Sequence, residues 1–202
     1  MSKTTFTRRG MLKTGAVTGA GLALPTYLSA AGHEGFTNAP TGGTVTLGFN
    51  VPQTGPYADE GADELRAYEL AVEHLNGEGD GGMMNTFSSK ALQGNGILGK
   101  KVEYVTGDTQ TKSDAARSSA RRMIEKDGAI MITGGSSSGV AVAVQSLCQE
   151  QGVIFMAGLT HSNDTTGKDK RRYGFRHFFN SYQSGLALAA VLAEAYGKDR
   201  RS

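Results

Sequence analysis

The chain has 202 residues, 38% of them hydrophobic and 20% charged, as expected for a soluble globular protein long enough to bury a core. Its net charge of +2 includes four basic residues and no acidic one within residues 1–31, so the remainder carries a net charge of −2. This balance gives no reason to expect a nucleic-acid partner. The single cysteine, Cys148, excludes an intrachain disulfide and is expected to be a small core residue.

The first residues have the layout of a cleaved export signal. The run TRRGMLK at residues 7–13 resembles the twin-arginine export motif, and a weakly apolar stretch follows it up to small residues that end at Ala31. A disordered basic tail and a membrane anchor are the alternatives, but an anchor needs about 18 consecutive apolar residues. We therefore predict a twin-arginine signal over residues 1–31, cleaved after Ala31, and a flexible linker over residues 32–43.

From Thr44 onward the apolar pattern predicts strands that alternate with helices. The strands are expected at residues 44–51, 101–106, 129–133 and 153–158, and the helices between them carry apolar residues at helical spacing over 65–75, 116–124 and 140–148. A glycine-rich segment over 77–96 has no period and is expected to be a surface excursion. Strands separated by helices require a parallel sheet with crossover helices on its faces, so the predicted fold class is α/β.

The last part of the chain predicts a strand over residues 175–179 and a helix with Leu188, Leu192 and Tyr196 facing inward. No strand follows this helix to receive it. We therefore expect a chain cut short rather than a finished α/β domain.

Ligands of open parallel sheets bind beyond the carboxyl ends of the strands. Here that edge is predicted to carry three loops, over residues 53–63, 134–139 and 158–164. Ser136, Ser137 and Ser138 offer three hydroxyls beside glycines and the start of a helix, a combination that favours a carboxylate. Thr160 and His161 add a hydroxyl and an imidazole, and Tyr57 could supply an aromatic wall.

Two other interpretations of the serine loop stay open. The run Gly135 to Gly139 matches the Gly-x-Ser-x-Gly motif of a nucleophile elbow, which would make Ser137 the nucleophile of a secreted serine hydrolase. Asp164 or Asp169 precedes His177 in the order such an enzyme uses, but these residues lie within one loop and its adjoining strand instead of on separate later strands. The loop could also be a structural helix cap.

Metal and cofactor chemistry have little support in the sequence. Cys148 is the single cysteine and has no second cysteine to pair with. The four histidines are scattered without ligand spacing: His33, His74, His161 and His177. We expect no metal and no cofactor.

Four segments together resemble the periplasmic amino-acid-binding proteins of the Leu/Ile/Val type, which serve ABC transporters. GFNVPQTGPYADEGADELRAYELAVEHLN, at residues 48–76, looks like the first strand, loop and helix of that family. Residues 96–128 look like its second strand and helix, including the lead-in ILGKK and the loop DTQ. ITGGSSSGVAVAV and GVIFMAGLTHSNDTTG look like its ligand-facing third and fourth segments. The similarity runs from about Thr44 to the end.

The resemblance implies two α/β lobes that close around a small ligand in a type I periplasmic binding protein fold. It implies a first lobe over residues 44–175, then a crossover and the start of an incomplete second lobe over 176–202. The function it implies is binding of an amino acid or amide for an ABC permease in the periplasm, without catalysis. A sensory ligand-binding module of the same fold is the alternative within this class.

By this resemblance, the serine loop and the following strand end would hold the charged groups of the ligand. Ser137 best matches the serine hydroxyl that contacts the ligand, with Ser136 one position away. Gly158 would act through its backbone, and Thr160 through its hydroxyl and backbone. His161 departs from the smaller or apolar residue that the family pattern places beside this threonine.

Overall fold

The computed structural model describes residues 37–78 and 96–197. The predicted export signal with its cut after Ala31, and most of the 77–96 excursion, lie outside these ranges. In chain order the elements are β1 (Thr44–Val51), α1 (Ala58–Leu75), β2 (Lys101–Asp108), α2 (Ser113–Glu125), β3 (Met131–Gly134), α3 (Ser138–Gln151), β4 (Ile154–Ala157), a short 3-10 helix (Asn163–Thr166), β5 (Gly174–Arg176) and α4 (Ser181–Tyr196).

The five strands form one parallel sheet in the order β2-β1-β3-β4-β5. β1 lies between β2 and β3. After β2 the chain crosses back over β1 to form β3 on its other side, and β4 and β5 are then added on that side. The predicted parallel α/β sheet is therefore confirmed. The reversal creates a switch point between the carboxyl ends of β1 and β3, where the loops that follow the two strands diverge.

Apolar side chains pack against both faces of this sheet. On one face, alternate residues of β1 pack with Val72 of α1 and Val102 of β2: Val45, Leu47 and Phe49. On the other face, Ile132 and Phe155 pack with apolar residues of α2 and α3, including Cys148. Full burial of one such large side chain stabilises the fold by about 1.5 to 3 kcal/mol. The prediction of Cys148 as a core residue is confirmed, since its side chain is fully buried.

The last helix departs from the sequence-based expectation. Leu188, Leu192 and Tyr196, which we predicted to face inward, are exposed, and no residue of α4 is buried. The apolar residues of α4 lie on more than one of its faces, and none of the elements in the described ranges covers them. The prediction of inward-facing residues was therefore wrong. An apolar pattern shows that a helix can be covered, but it does not show by which segment.

The fifth strand is shorter than predicted and lies at the edge of the sheet. It spans Gly174–Arg176 instead of 175–179 and, among the described strands, pairs with β4 alone. Phe178 and Phe179 fall beyond it and stack on each other with ring centroids 4.1 Å apart. The sequence suggested a longer strand because these aromatic residues are also favoured in strands.

Candidate ligand-binding site

The backbone at the switch point is shaped by two glycines at the end of β3. Gly134 and Gly135 have φ values of +122° and +76°, which side chains with a Cβ rarely adopt. A Cβ on Gly134 would also overlap the carbonyl group of Asn50 in the neighbouring strand. The chain can therefore turn sharply after β3 and lead through the three serines into α3.

Ser137 is the N-cap residue of α3, but its side chain does not cap the helix. Its φ and ψ are −79° and 129°, its carbonyl oxygen accepts the N–H of Ala141 at 2.9 Å, and no side-chain cap bond is present. The half-buried hydroxyl has no hydrogen-bond partner among the described residues. The first turn of a helix also presents N–H groups without intrahelical partners and the positive end of the helix dipole. Together these donors form a place where an anion is stabilised.

Ser138 and Thr160 are brought together, but they bond to each other. The hydroxyl of Thr160 is fully buried and donates to Oγ of Ser138 at 2.9 Å. The same oxygen of Ser138 accepts the N–H of Ser162 at 3.2 Å. These bonds tie the loop after β4 to the first turn of α3, so the side chain of Thr160 serves the fold. Its carbonyl oxygen accepts a hydrogen bond from the Arg176 guanidinium, which leaves its N–H for other contacts.

Ser136 faces a residue that the sequence analysis did not single out. Its hydroxyl donates to Oε2 of Glu64 at 2.8 Å, and the hydroxyl of Tyr68 donates to Oε1 at 2.5 Å. Glu64 is only 6% exposed although it lies on α1 among acidic residues. We refer to Glu64, Tyr68 and Ser136 as the Glu64 cluster. It joins the second and third turns of α1 to the loop that follows β3.

Gly158, at the end of β4, closes the opposite side of the Glu64 cluster. Its N–H donates to the carbonyl of Gly134 at 2.9 Å, which fixes it beside the switch point. A Cβ at this position would overlap Oε1 of Glu64 and come within 2.8 Å of the Tyr68 hydroxyl oxygen. The structure thus brings Ser136 and Gly158, two predicted site residues, into one cluster around Glu64.

Burial dominates the electrostatics of the Glu64 cluster. Removal from water raises the pKa of Glu64, and the hydrogen bonds from Tyr68 and Ser136 and the charge of His177 only partly offset this effect. Burial and the neighbouring carboxylate also raise the pKa of Tyr68, so its hydroxyl stays protonated and acts as a donor. Within residues 37–78 and 96–197, no lysine or arginine forms an ion pair with Glu64.

A sequence signal for Glu64 existed but was masked by its neighbours. The stretch ADEGADEL has four acidic residues, which indicates a solvated face. Yet Glu64 lies four residues before Tyr68 and eight before Val72, so it is on the same face of α1 as these two members of the apolar pattern over 65–75. A carboxylate in line with an apolar stripe requires polar partners, and these come from a distant loop.

Tyr57 and His161 lie apart from the serine hydroxyls. Tyr57 precedes α1 and is 42% exposed. The exposed imidazole of His161 packs edge-on against the rings of Phe178 and Phe179, with centroids 5.0 and 5.2 Å away. No hydrogen bond joins either side chain to the serine loop in the described part of the chain. The carbonyl oxygen of Tyr57 accepts the N–H of Gly61, and that of His161 accepts the N–H and hydroxyl of Ser181 at the start of α4.

The arrangement that a serine hydrolase would need is not assembled around Ser137 in the described residues. Its hydroxyl has no hydrogen bond to His177, and the Asp164 carboxylate pairs instead with Lys168 at 3.1 Å. The described residues also contain no group of three or more histidine, cysteine, aspartate or glutamate side chains that could hold a metal ion. In the same residues, none of the helices combines the length and apolar character of a membrane span.

Comparison with known families identifies the chain at this point. The model of the family described as periplasmic binding protein matches residues 44–201. The chain belongs to this family. This result confirms the resemblance inferred from the four sequence segments.

Curated relatives match only over part of their own length. A Leu/Ile/Val-binding protein homolog 7 of Brucella abortus is 31% identical over 117 residues, which cover 58% of this chain and 25% of the relative. A Leu/Ile/Val-binding protein BraC3 of Rhizobium johnstonii is 27% identical over 167 residues, or 76% of this chain and 41% of the relative. The chain thus spans between a quarter and about two fifths of these relatives.

Solved structures share the fold over a similar extent. The branched-chain amino acid transporter substrate binding protein LivJ of Streptococcus pneumoniae, in complex with isoleucine, superposes with a TM-score of 0.60 at 22% identity, over 75% of this chain and 38% of that chain. A solute binding protein of an ABC transporter from Rhodopseudomonas palustris, in complex with 3,4-dihydroxy benzoic acid, gives a TM-score of 0.60 at 21% identity, over 77% and 37%. These likenesses confirm the predicted fold class, that of type I periplasmic binding proteins.

Proposed function

We propose that this chain is the exported solute-binding component of an ABC importer and that it binds an amino acid or amide at the switch point between β1 and β3. The observation that supports this most directly is the set of donors at the start of α3, where the hydroxyl of Ser137 and the first N–H groups have no partner in the described residues. Relatives named for leucine, isoleucine and valine and a structure with bound isoleucine favour the same ligand class. The protein would then act without catalysis.

The proposed site keeps all the predicted residues but gives them different roles. Ser137 and the first turn of α3 would hold the carboxylate of the ligand, with Ser136 and Gly158 beside it. Ser138 and Thr160 would fix the two loops relative to each other, and Thr160 would reach the ligand through its backbone, because its hydroxyl is buried against Ser138. Tyr57 and His161, both exposed at this edge, would contact the part of the ligand that distinguishes one solute from another.

Binding would use closure of two lobes. Residues 44–175 would form the first lobe, and residues 176–202 would form the crossover and the start of the second. The exposed apolar residues of α4 support this division, since a helix apolar on several faces needs other segments to cover it. The closed form would be recognised by the membrane permease in the periplasm, after export by the twin-arginine machinery and removal of residues 1–31.

Calorimetric titration of the two-lobed protein with a panel of amino acids, amides and hydroxybenzoates tests the proposal. We expect Ser137→Ala to weaken binding of the preferred ligand by about 1 to 3 kcal/mol, the effect of losing a hydrogen bond to a charged group. Ser118→Ala, on the exposed side of α2, removes the same hydroxyl away from the switch point and is the matched control. Unchanged affinity in the Ser137 variant would place the ligand elsewhere.

The hydrolase alternative makes a separate prediction because its motif is present. A serine nucleophile would be labelled covalently by a fluorophosphonate at Ser137 and would turn over a simple ester. The binding proposal expects neither reaction, because the Ser137 hydroxyl contacts no base within the described ranges. Labelling that is lost in Ser137→Ala would favour the enzyme.

A further inference from the structure

We propose that Glu64 is a specificity-determining residue which, through Ser136, selects ligands that carry an ammonium group. The inference rests on the proposed function, because it concerns the same site and a zwitterionic ligand. It adds an acidic residue, Glu64, to the site. Neither the sequence motifs nor the family resemblance assigned an acidic residue to this part of the chain.

The first argument is the missing countercharge of Glu64. Its carboxyl group is almost fully buried, and both oxygens accept hydrogen bonds from neutral hydroxyl groups. Burial without a paired opposite charge disfavours the ionised form of Glu64 and raises its pKa. In the described ranges no lysine or arginine supplies one, and His177 acts on Glu64 through a charge interaction without a hydrogen bond. A cationic ligand group at the switch point would provide the missing charge.

The second argument is the direction of the hydrogen bonds in the Glu64 cluster. A serine hydroxyl has one proton, and that of Ser136 is directed to Oε2 of Glu64 at 2.8 Å. The distance of 2.5 Å between the Tyr68 hydroxyl and Oε1 falls at the short end of the range of about 2.5 to 2.7 Å found for hydrogen bonds to ionised oxygens. With its proton committed to Glu64, Ser136 presents lone pairs to the ligand. It can therefore accept from an ammonium group but cannot donate to a carboxylate.

The third argument is the division of the site into two halves. Ser137 and the start of α3 offer unpaired donors, which suit the carboxylate. The neighbouring Ser136 offers an acceptor backed by a buried carboxylate a single hydrogen bond away. Adjacent residues thus present opposite polarity, which matches the adjacent carboxylate and ammonium of an α-amino acid and does not match a simple carboxylic acid.

The test compares leucine with 4-methylpentanoate, which has the same carbon skeleton without the amino group. Both are titrated calorimetrically into the two-lobed protein and into its Glu64→Gln variant, which keeps the size of the side chain and removes its charge. We expect the unaltered protein to prefer leucine, and we expect Glu64→Gln to reduce this preference by about 10- to 100-fold, the range for a lost hydrogen bond to a charged group. Glu73→Gln, an exposed residue of the same helix, is the charge-matched control.

Ser136→Ala provides a second variant in case Glu64→Gln does not fold. It should reduce the preference for leucine in the same direction, because it removes the acceptor that transmits the charge. A fall in affinity that is equal for both compounds would show that Glu64 only positions the loop and would overturn the inference while the proposed function stands. Binding of neither compound, nor of any member of the amino acid panel, to the unaltered protein would contradict the proposed function itself.

Discussion

Gly158 and Glu64 lie against each other with no room for a side chain at position 158. A Cβ there would overlap Oε1 of Glu64 and approach the Tyr68 hydroxyl oxygen to 2.8 Å. The contact joins the end of β4 to α1 across the end of β3. Because Glu64 also accepts the hydroxyl of Ser136, the glycine helps to determine where the serine loop lies.

Gly158→Ala should therefore destabilise the fold by about 1 to 3 kcal/mol, the usual cost of forcing an extra methyl group into a packed site. Urea-induced unfolding followed by circular dichroism measures the change. Gly139→Ala is the matched control, since a Cβ on this exposed residue of α3 would have no atom within 4 Å. We expect the control to be neutral or slightly stabilising, because alanine is the better helix former. Equal stability of the two variants would contradict the close contact.

The hydrogen bond from Thr160 to Ser138 should contribute to stability and not to ligand contact. Ser138→Ala leaves the buried Thr160 hydroxyl without its acceptor and should cost about 1 to 3 kcal/mol. Thr160→Val removes the donor with little change of shape and should cost less. The double variant measured by urea unfolding should show a coupling energy of at least about 0.5 kcal/mol. Strictly additive effects would mean that the two hydroxyls do not interact.

Ser137→Ala serves as the reference in the same series. Since its hydroxyl makes no hydrogen bond to a described residue, the free energy of unfolding should change by no more than about 0.5 kcal/mol. The contrast between two adjacent serines separates the residue that holds the fold from the residue that is left for a ligand.

Asp108 should make stability depend on acid pH. Partial burial alone would raise its pKa, but the hydroxyl of Thr54 and the N–H groups of Gln53, Thr54 and Gln110 bind the carboxylate, and the net effect is a lowered pKa. A lowered folded-state pKa gives stability that is present above the unfolded-state pKa and is lost as the pH falls through the folded-state pKa. Asp108 thereby ties the loop after β1 to the end of β2.

Asp108→Asn should remove this part of the pH dependence. We expect the stability of the variant, measured by urea unfolding between pH 3 and pH 6, to fall less steeply with acid than that of the unaltered chain. Asp63→Asn, in an exposed pair with Arg66, is the control and should leave the slope nearly unchanged. An identical slope for Asp108→Asn would show that the loop is not held by the carboxylate.

The thiol of Cys148 should be unreactive toward thiol reagents in the folded chain. Its side chain is fully buried, and burial raises the pKa of the thiol to about 12, so the reactive thiolate is scarce at neutral pH. We expect no reaction with a thiol reagent such as DTNB in native buffer and one equivalent of reaction in concentrated urea. Rapid native labelling would contradict the packing of α3 on the sheet.

Much of the fold could be predicted from the sequence because the relevant signals are local. The alternation of Val45, Leu47 and Phe49 predicts β1, and glycines such as Gly152, with its φ of +68°, mark where the helices end. The order of strands and helices then requires a parallel sheet whose loops meet at one edge. The serine loop, Gly158, Thr160 and their neighbours were placed at that edge from this argument alone.

The roles of the individual groups were decided by the tertiary structure. Three consecutive serines look alike in sequence, yet Ser136 donates to Glu64, Ser137 has no partner in the described residues, and Ser138 accepts from Thr160. These differences depend on which distant segments meet at the end of β3, and a hydroxyl follows whichever partner lies within about 3 Å of it. Glu64 was missed and α4 was misjudged for the same reason, because burial is a property of the neighbours that the fold supplies.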